Sequence, residues 1–82
     1  MRVTLLYFAA VRDLVGLDRE DVVIDPDTET VGALRRWLES NRALLEGRLG
    51  AVRFAVDERF AKDDEPLHEG AVIALIPPVA GG

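Results

Sequence analysis

The residues best suited to chemistry stand together at the end of the chain, Pro77-Pro78-Val79-Ala80-Gly81-Gly82. Proline cannot donate to a strand ladder and favours an extended path, so this segment can reach on the order of 20 Å past a preceding strand. Glycine at the last two positions removes every Cβ near the carboxylate and permits close backbone approach inside a narrow channel. A carboxylate is a poor electrophile, so such a terminus accepts sulfur or an amine only after activation, by adenylation on a separate ATP-using protein. The competing reading is that small residues at a terminus simply fray. The apolar Pro77, Pro78 and Val79 directly before the glycines weigh against it.

No other residue offers comparable chemistry. There is no cysteine, which excludes disulfides, a thiol nucleophile and thiolate metal ligands together. The single histidine, His68, follows an acidic stretch and precedes Glu69, and reads as a surface histidine rather than a catalyst. Asp57-Glu58 and Asp63-Asp64-Glu65 read as solvated acidic loops before they read as a cation site. The net charge of −5 is the wrong balance for gripping phosphate backbones, and no polybasic run offers a membrane contact, so nucleic acid and membrane are not expected partners. Nothing at the start of the chain reads as a secretory signal, and a cytoplasmic location is the expectation.

The elements that must carry the tail are those of one small domain. The chain has 82 residues, 49% apolar and 30% charged, a composition that suits one packed core. Residues 3–8 are β-branched and aromatic and read as a strand apolar on both faces. Residues 9–15 place Val11, Leu14 and Val15 at helical spacing and stop at Gly16. A strand over 19–24 closes in Asp25-Pro26-Asp27. Thr28 or Thr30 caps the main helix, whose apolar stripe is Val31, Leu34, Trp37 and Leu38 and whose end is Asn41. Trp37 is expected in the core with its N–H near the rim, and Gly32 is expected to pack closely on the sheet. A shorter helical piece follows over 43–49. Strands over 52–56 and 60–61 are joined by a turn at 57–59, and a last apolar strand spans 71–76.

This order predicts an α+β fold of the β-grasp type. A mixed sheet of four to five strands would pack on one main helix, with a short helix after the first strand and the first and last strands central. Residues 1–76 would form the domain and residues 77–82 a flexible, extended tail. If Val3, Leu5 and Tyr7 face the helix, then Thr4, Leu6 and Phe8 face away, as do Val72, Ala74 and Ile76 of the last strand. That leaves either an apolar outer face or a second small core under the loops.

The segment Phe8-Ala9-Ala10-Val11-Arg12-Asp13-Leu14-Val15-Gly16, the pair Thr30-Val31, the stretch from Pro66-Leu67 to Gly70 and the Pro-Pro-Val-Ala-Gly-Gly end resemble the ubiquitin-like sulfur carriers of the MoaD/ThiS family. The resemblance spans the whole chain and is nearest to the MoaD-type small subunits of molybdopterin synthase. It implies that the Gly82 carboxylate is adenylated by a MoeB-type enzyme, with ATP bound by that partner and no cofactor by this chain. A sulfur donor system then converts it to a thiocarboxylate. It further implies that Pro77, Pro78, Val79, Ala80 and Gly81 insert into a MoaE-type large subunit, in a complex of two small and two large subunits. There the sulfur attacks cyclic pyranopterin monophosphate, with the pterin-binding and acid–base groups supplied by the large subunit. Phe8, Phe60 and Ile76 fall where the family carries apolar partner contacts, and Arg12 matches its arginine near the same edge. Two alternatives begin with the same adenylate: a carrier for thiazole, cysteine or tRNA thiolation, and a ubiquitin-like modifier joined to a lysine through Gly82. A third is an interaction module with an inert tail.

Overall fold

Apolar side chains at every second position, 3-5-7 and 71-73-75, require two strands that bury one side completely. In the computed structural model, which describes residues 1–78, these are β1 (Arg2–Tyr7) and β5 (Val72–Ile76). They lie side by side and parallel, with Leu5 opposite Ile73 and Tyr7 opposite Leu75. A parallel pair needs a long crossover, and the rest of the chain forms it. It comprises α1 (Ala9–Val15), β2 (Arg19–Val23), α2 (Val31–Asn41), a 3₁₀ turn at Ala43–Leu45, β3 (Arg53–Val56) and β4 (Arg59–Ala61).

The sheet order is β2-β1-β5-β3-β4, with every neighbouring pair except β1/β5 antiparallel. This is the expected β-grasp, with five strands and the first and last central. The extended tail anticipated for residues 77–82 is described only at Pro77 and Pro78; Val79, Ala80, Gly81 and Gly82 lie outside the described residues. Among the described residues no helix is long and apolar enough to cross a membrane.

Local chemistry sets each boundary. Gly16 closes α1 in the left-handed region at φ 82°, donating its N–H to the Arg12 carbonyl at 2.8 Å. Of the two threonines, Thr30 caps α2: its Oγ1 accepts from the Ala33 N–H at 3.2 Å. Thr28 is instead buried and donates its N–H to the Asp25 carbonyl, closing the turn that ends β2. Val31, Leu34 and Leu38 of α2 are fully buried, in one core with Leu5, Phe54, Ile73 and Leu75. Trp37 is only partly buried at the margin of that core, with the Arg42 guanidinium 5.7 Å from its ring centroid.

Gly32 meets a different neighbour from the one its place in the helix predicts. Its N–H donates to the Asp63 carbonyl at 2.8 Å, and a Cβ there would lie 3.0 Å from the Asp63 Cβ. The close approach is therefore to the β4–β5 connection and not to the sheet. One turn on, Arg35 ties the same connection to the chain before β3. Its Nη1 donates to the Val52 carbonyl at 2.8 Å and to the Leu49 carbonyl, its Nη2 reaches Asp63 Oδ1 at 3.0 Å, and its guanidinium lies 4.6 Å from the Phe54 ring centroid.

Arg35→Met keeps the aliphatic stem but strands two carbonyls and an aspartate. It should cost about 2–3 kcal/mol, the scale of charge-assisted hydrogen bonds, read as a lower urea midpoint with an unchanged slope. Arg35→Lys should recover only part of that loss, because an ammonium lacks the planar fork that spans all three acceptors.

Candidate functional site

The strand period that builds the core also decides what the other side of the sheet presents. Pairing arranges the outward side chains in rows. Thr4 lies beside Val72; Leu6, Ala74, Ala55 and Phe60 form the next row; and Ile76 beside Arg53, with Phe8 following Tyr7, ends the sheet where the chain leaves β5. Phe8 is 44% exposed, Phe60 57% and Val72 38%, and together with Leu6, Ala74 and Ile76 they line one shallow groove. Among the described residues no second core covers them, which is the outer-face alternative. On the β2 side the face turns polar, with Thr4 Oγ1 donating to Asp21 Oδ1 at 2.7 Å and Arg19 opposite Leu6.

The structure brings together Phe8, Phe60 and Ile76 of the sequence-predicted partner residues. Arg12 is not among the residues lining the groove; its Nε lies 3.9 Å from Asp18 Oδ1, an exposed pair of small energetic weight. Pro77 is half-buried and Pro78 exposed as they continue from β5, whereas Val79 to Gly82 are outside the described residues.

Two residues of this face escaped the sequence reading. Arg53, opposite Ile76 at the root of the tail, lays its guanidinium over the Phe60 ring, 3.9 Å from the centroid. Glu58 lines the groove at its other end. The available signal was the alternation in residues 52–56, which sets Arg53 and Ala55 on the outer side. Joining Arg53 to Phe60 also required the hairpin register, Ala55 opposite Phe60. That register follows from a two-residue turn at Asp57 and Glu58, both left-handed at φ 49° and 73°.

The remaining titratable groups hold structure. The Tyr7 hydroxyl donates to Glu20 Oε1, which also accepts from Arg42 Nη2 at 3.3 Å, joining β1, β2 and the end of α2. Burial, reinforced by the Glu20 hydrogen bond, pushes the Tyr7 hydroxyl well above its ordinary range, so it is no proton donor near neutrality. Asp57 Oδ1 accepts from the Val72 N–H at 3.0 Å while its Oδ2 lies 2.6 Å from His68 Nε2. His68 Nδ1 lies 3.0 Å from the Glu69 carbonyl. Among the described residues, no three His, Asp or Glu side chains gather as a metal site.

Residues 5–82 match the ThiS family. The molybdopterin synthase sulfur carrier subunit of Escherichia coli is 39% identical over 82 residues, spanning 98% of this chain and 99% of that protein. The subunit of the same name from Mycobacterium tuberculosis is 35% identical over 83 residues, spanning 100% of this chain and 99% of its own. Among solved structures, a complex of subunits 1 and 2 of the molybdopterin-converting factor from Helicobacter pylori contains a chain matched at TM-score 0.70 and 25% identity, with both chains fully covered.

The His68 pair at the Val72 end of the groove carries a pH signature. Both ring nitrogens face acceptors, an arrangement that only the imidazolium satisfies. The Asp57 hydrogen bond raises His68 above the ordinary 6.5, and the Val72 N–H, followed by His68, lowers Asp57 below 3.8. The histidine's contribution to stability is thus complete below 6.5 and is lost as pH rises through its raised folded value. The aspartate's contribution is present above 3.8 and is lost as pH falls through its lowered one. An NMR titration of the imidazole protons should place His68 above 6.5, and Asp57→Asn should return it toward that value. A midpoint unmoved by the substitution would show that the pair does not exist in solution.

Proposed function

The chain belongs to the ThiS family, and from that premise we propose that it is the sulfur-carrying subunit of a molybdopterin synthase, with the sulfur held as a thiocarboxylate on Gly82. The single observation that carries this reading from the geometry is the course of β5. It is the middle strand of the five, with Ile73 and Leu75 fully buried inside. Its outward side chains form the floor of the apolar groove, and it runs directly into Pro77-Pro78. A partner seated on the groove is thereby placed beside the start of the tail.

The cycle follows from the chemistry of a carboxylate. A MoeB-type enzyme joins the Gly82 carboxylate to the α-phosphate of ATP with release of pyrophosphate. Sulfide released by a sulfur donor then attacks the acyl carbon as HS⁻, AMP leaves, and the thiocarboxylate remains. At neutral pH this is an ionised, soft nucleophile on a chain that has no cysteine to divert it. Pro77, Pro78, Val79, Ala80 and Gly81 thread it into the MoaE-type large subunit, where glycine at 81 and 82 allows a passage too narrow for side chains. Sulfur attacks cyclic pyranopterin monophosphate there. The sulfur displaces an oxygen substituent of the precursor, and water then hydrolyses the acyl–sulfur bond to leave sulfur on the pterin and restore the carboxylate. Two such transfers make the dithiolene. The large subunit docks on Phe8, Phe60 and Ile76, with Arg12 as an additional contact at the α1 edge, in an assembly of two small and two large subunits. The work takes place in the cytoplasm, where ATP is available.

Intact-mass spectrometry tests this directly. Incubation with the activating enzyme, ATP and a sulfide source should exchange one oxygen for one sulfur at the terminus. Addition of the large subunit and the pterin precursor should reverse the exchange as dithiolene product forms. A thiocarboxylate that survives the precursor would assign the carrier to another acceptor, and failure to form one with a competent activating enzyme would overturn the reading. Deletion of Gly82 should abolish the exchange and leave the melting curve unchanged.

Phe8→Asp and Phe60→Asp place a charge in the groove. Each should weaken large-subunit binding by about tenfold or more, as expected for aromatic anchors. Each should change stability by no more than about 0.5 kcal/mol, because both rings are exposed in the free chain. Isothermal titration and thermal melts separate the two effects. A variant that fails to fold would place its ring in the core instead of on the docking face.

A further inference from the structure

Apolar contact has no direction of its own, and a groove lined by Leu6, Ala74 and Phe60 could be covered equally well by a partner turned end for end. Only one of those arrangements presents the tail to the partner's active site. Something on the face has to tell its two ends apart.

Arg53 and Glu58 have the positions to do so. Arg53 stands in the last row beside Ile76, where the tail begins, and Glu58 stands at the hairpin turn by the opposite rim. The Asp57 N–H donates to the Val72 carbonyl, which fixes that turn against the start of β5. Val72 and Ile76 are four residue steps apart along β5, about 13 Å at the usual rise per residue, so the backbone positions of Glu58 and Arg53 fall toward opposite ends of the face. Among the described residues neither group has an ion-pair partner, whereas Arg12, Arg19, Arg35 and Arg42 each have one. Nor is Arg53 a loose surface arginine. Its guanidinium lies over Phe60 at 3.9 Å from the centroid, so part of the entropy of ordering it is already lost in the free chain, and among the described residues no carboxylate occupies it.

Resting on the docking reading above, we propose that Arg53 and Glu58 are the polarity determinants of this face. Arg53 receives a carboxylate of the large subunit beside the entrance that takes the tail, and Glu58 receives a cation at the far rim. The chain as a whole carries −5, so a net repulsion opposes an acidic partner at long range and a local cation is needed to receive its carboxylate. A carboxylate is accommodated at the Arg53 end and opposed at the Glu58 end, which penalises the reversed arrangement at both poles.

The test measures association of the purified chain with its cognate large subunit by stopped-flow or surface plasmon resonance, across a range of salt concentrations. The chains are wild type, Arg53→Glu, Arg53→Lys and Glu58→Arg. Rim charges act mainly on the association rate, so Arg53→Glu and Glu58→Arg should each slow association by about tenfold at low salt, with the deficit closing at high salt. Arg53→Lys keeps the charge and should stay within about threefold of wild type at low salt. A deficit of the same size at every salt concentration, shared by the lysine variant, would make Arg53 merely a packing partner of Phe60 and overturn the proposal. Wild-type rates in both reversal variants would overturn it too, as would reversals that alter only self-association of this chain. Failure of the wild-type chain to bind the large subunit at any salt would instead remove the docking reading itself, and this inference with it.

Discussion

The structure depends on one pairing, the parallel register of β1 with β5. Placing the first and last strands side by side at the centre encloses the inner residues of both, and Leu5, Ile73 and Leu75 lose all contact with solvent. It also anchors the end of the chain in the most protected part of the sheet. The segment after Ile76 therefore starts from a rigid base. A carrier whose reacting atom sits on an extended tail needs such a base, because the orientation of the tail is only as well defined as the strand it leaves.

Strand pairing alone does not hold the crossover in place. Charged side chains with several partners each do that at its corners. Arg35 collects the carbonyls of Leu49 and Val52 together with Asp63, and Glu20 collects Tyr7 and Arg42. A domain of 82 residues has little apolar area to spare, and each of these clamps fastens a long connection without taking space from the core. The acidic residues singled out as a possible cation site are part of the same economy. Asp57 and Asp63 accept hydrogen bonds from Val72 and Arg35, which fixes the loops around β5.

The consequence for function is a division of roles between the two sides of one sheet. The inner side gives stability. The outer side stays apolar and uncovered along β1, β5, β3 and β4, and becomes charged toward β2. The apolar groove thus lies directly over the strand that runs into Pro77-Pro78, so under the proposed docking a single contact would both recognise the chain and set where its tail begins. A fold that covered this face with a second layer would be more stable and would have nothing to dock with.

What the sequence determined by itself is what depends on short-range pattern and on residue chemistry. The runs apolar on both faces at residues 3–8 and 71–76, the glycine after residue 15, the threonine before Val31 and the terminal Pro-Pro-Val-Ala-Gly-Gly each act through their own side-chain and backbone preferences. The elements, the central place of the first and last strands and the two sides of the strands over 3–8, 52–56 and 71–76 were legible from such patterns. Tertiary structure decided everything that depends on which distant residues meet. It chose Thr30 over Thr28 as the cap, set Gly32 against Asp63 and not the sheet, turned His68 toward Asp57, kept Arg12 out of the groove and laid Arg53 across Phe60. None of these is written in local pattern. Each rests on the strand register and on the path of a connection, and those are fixed only when the whole core closes around Leu5, Phe54, Ile73 and Leu75.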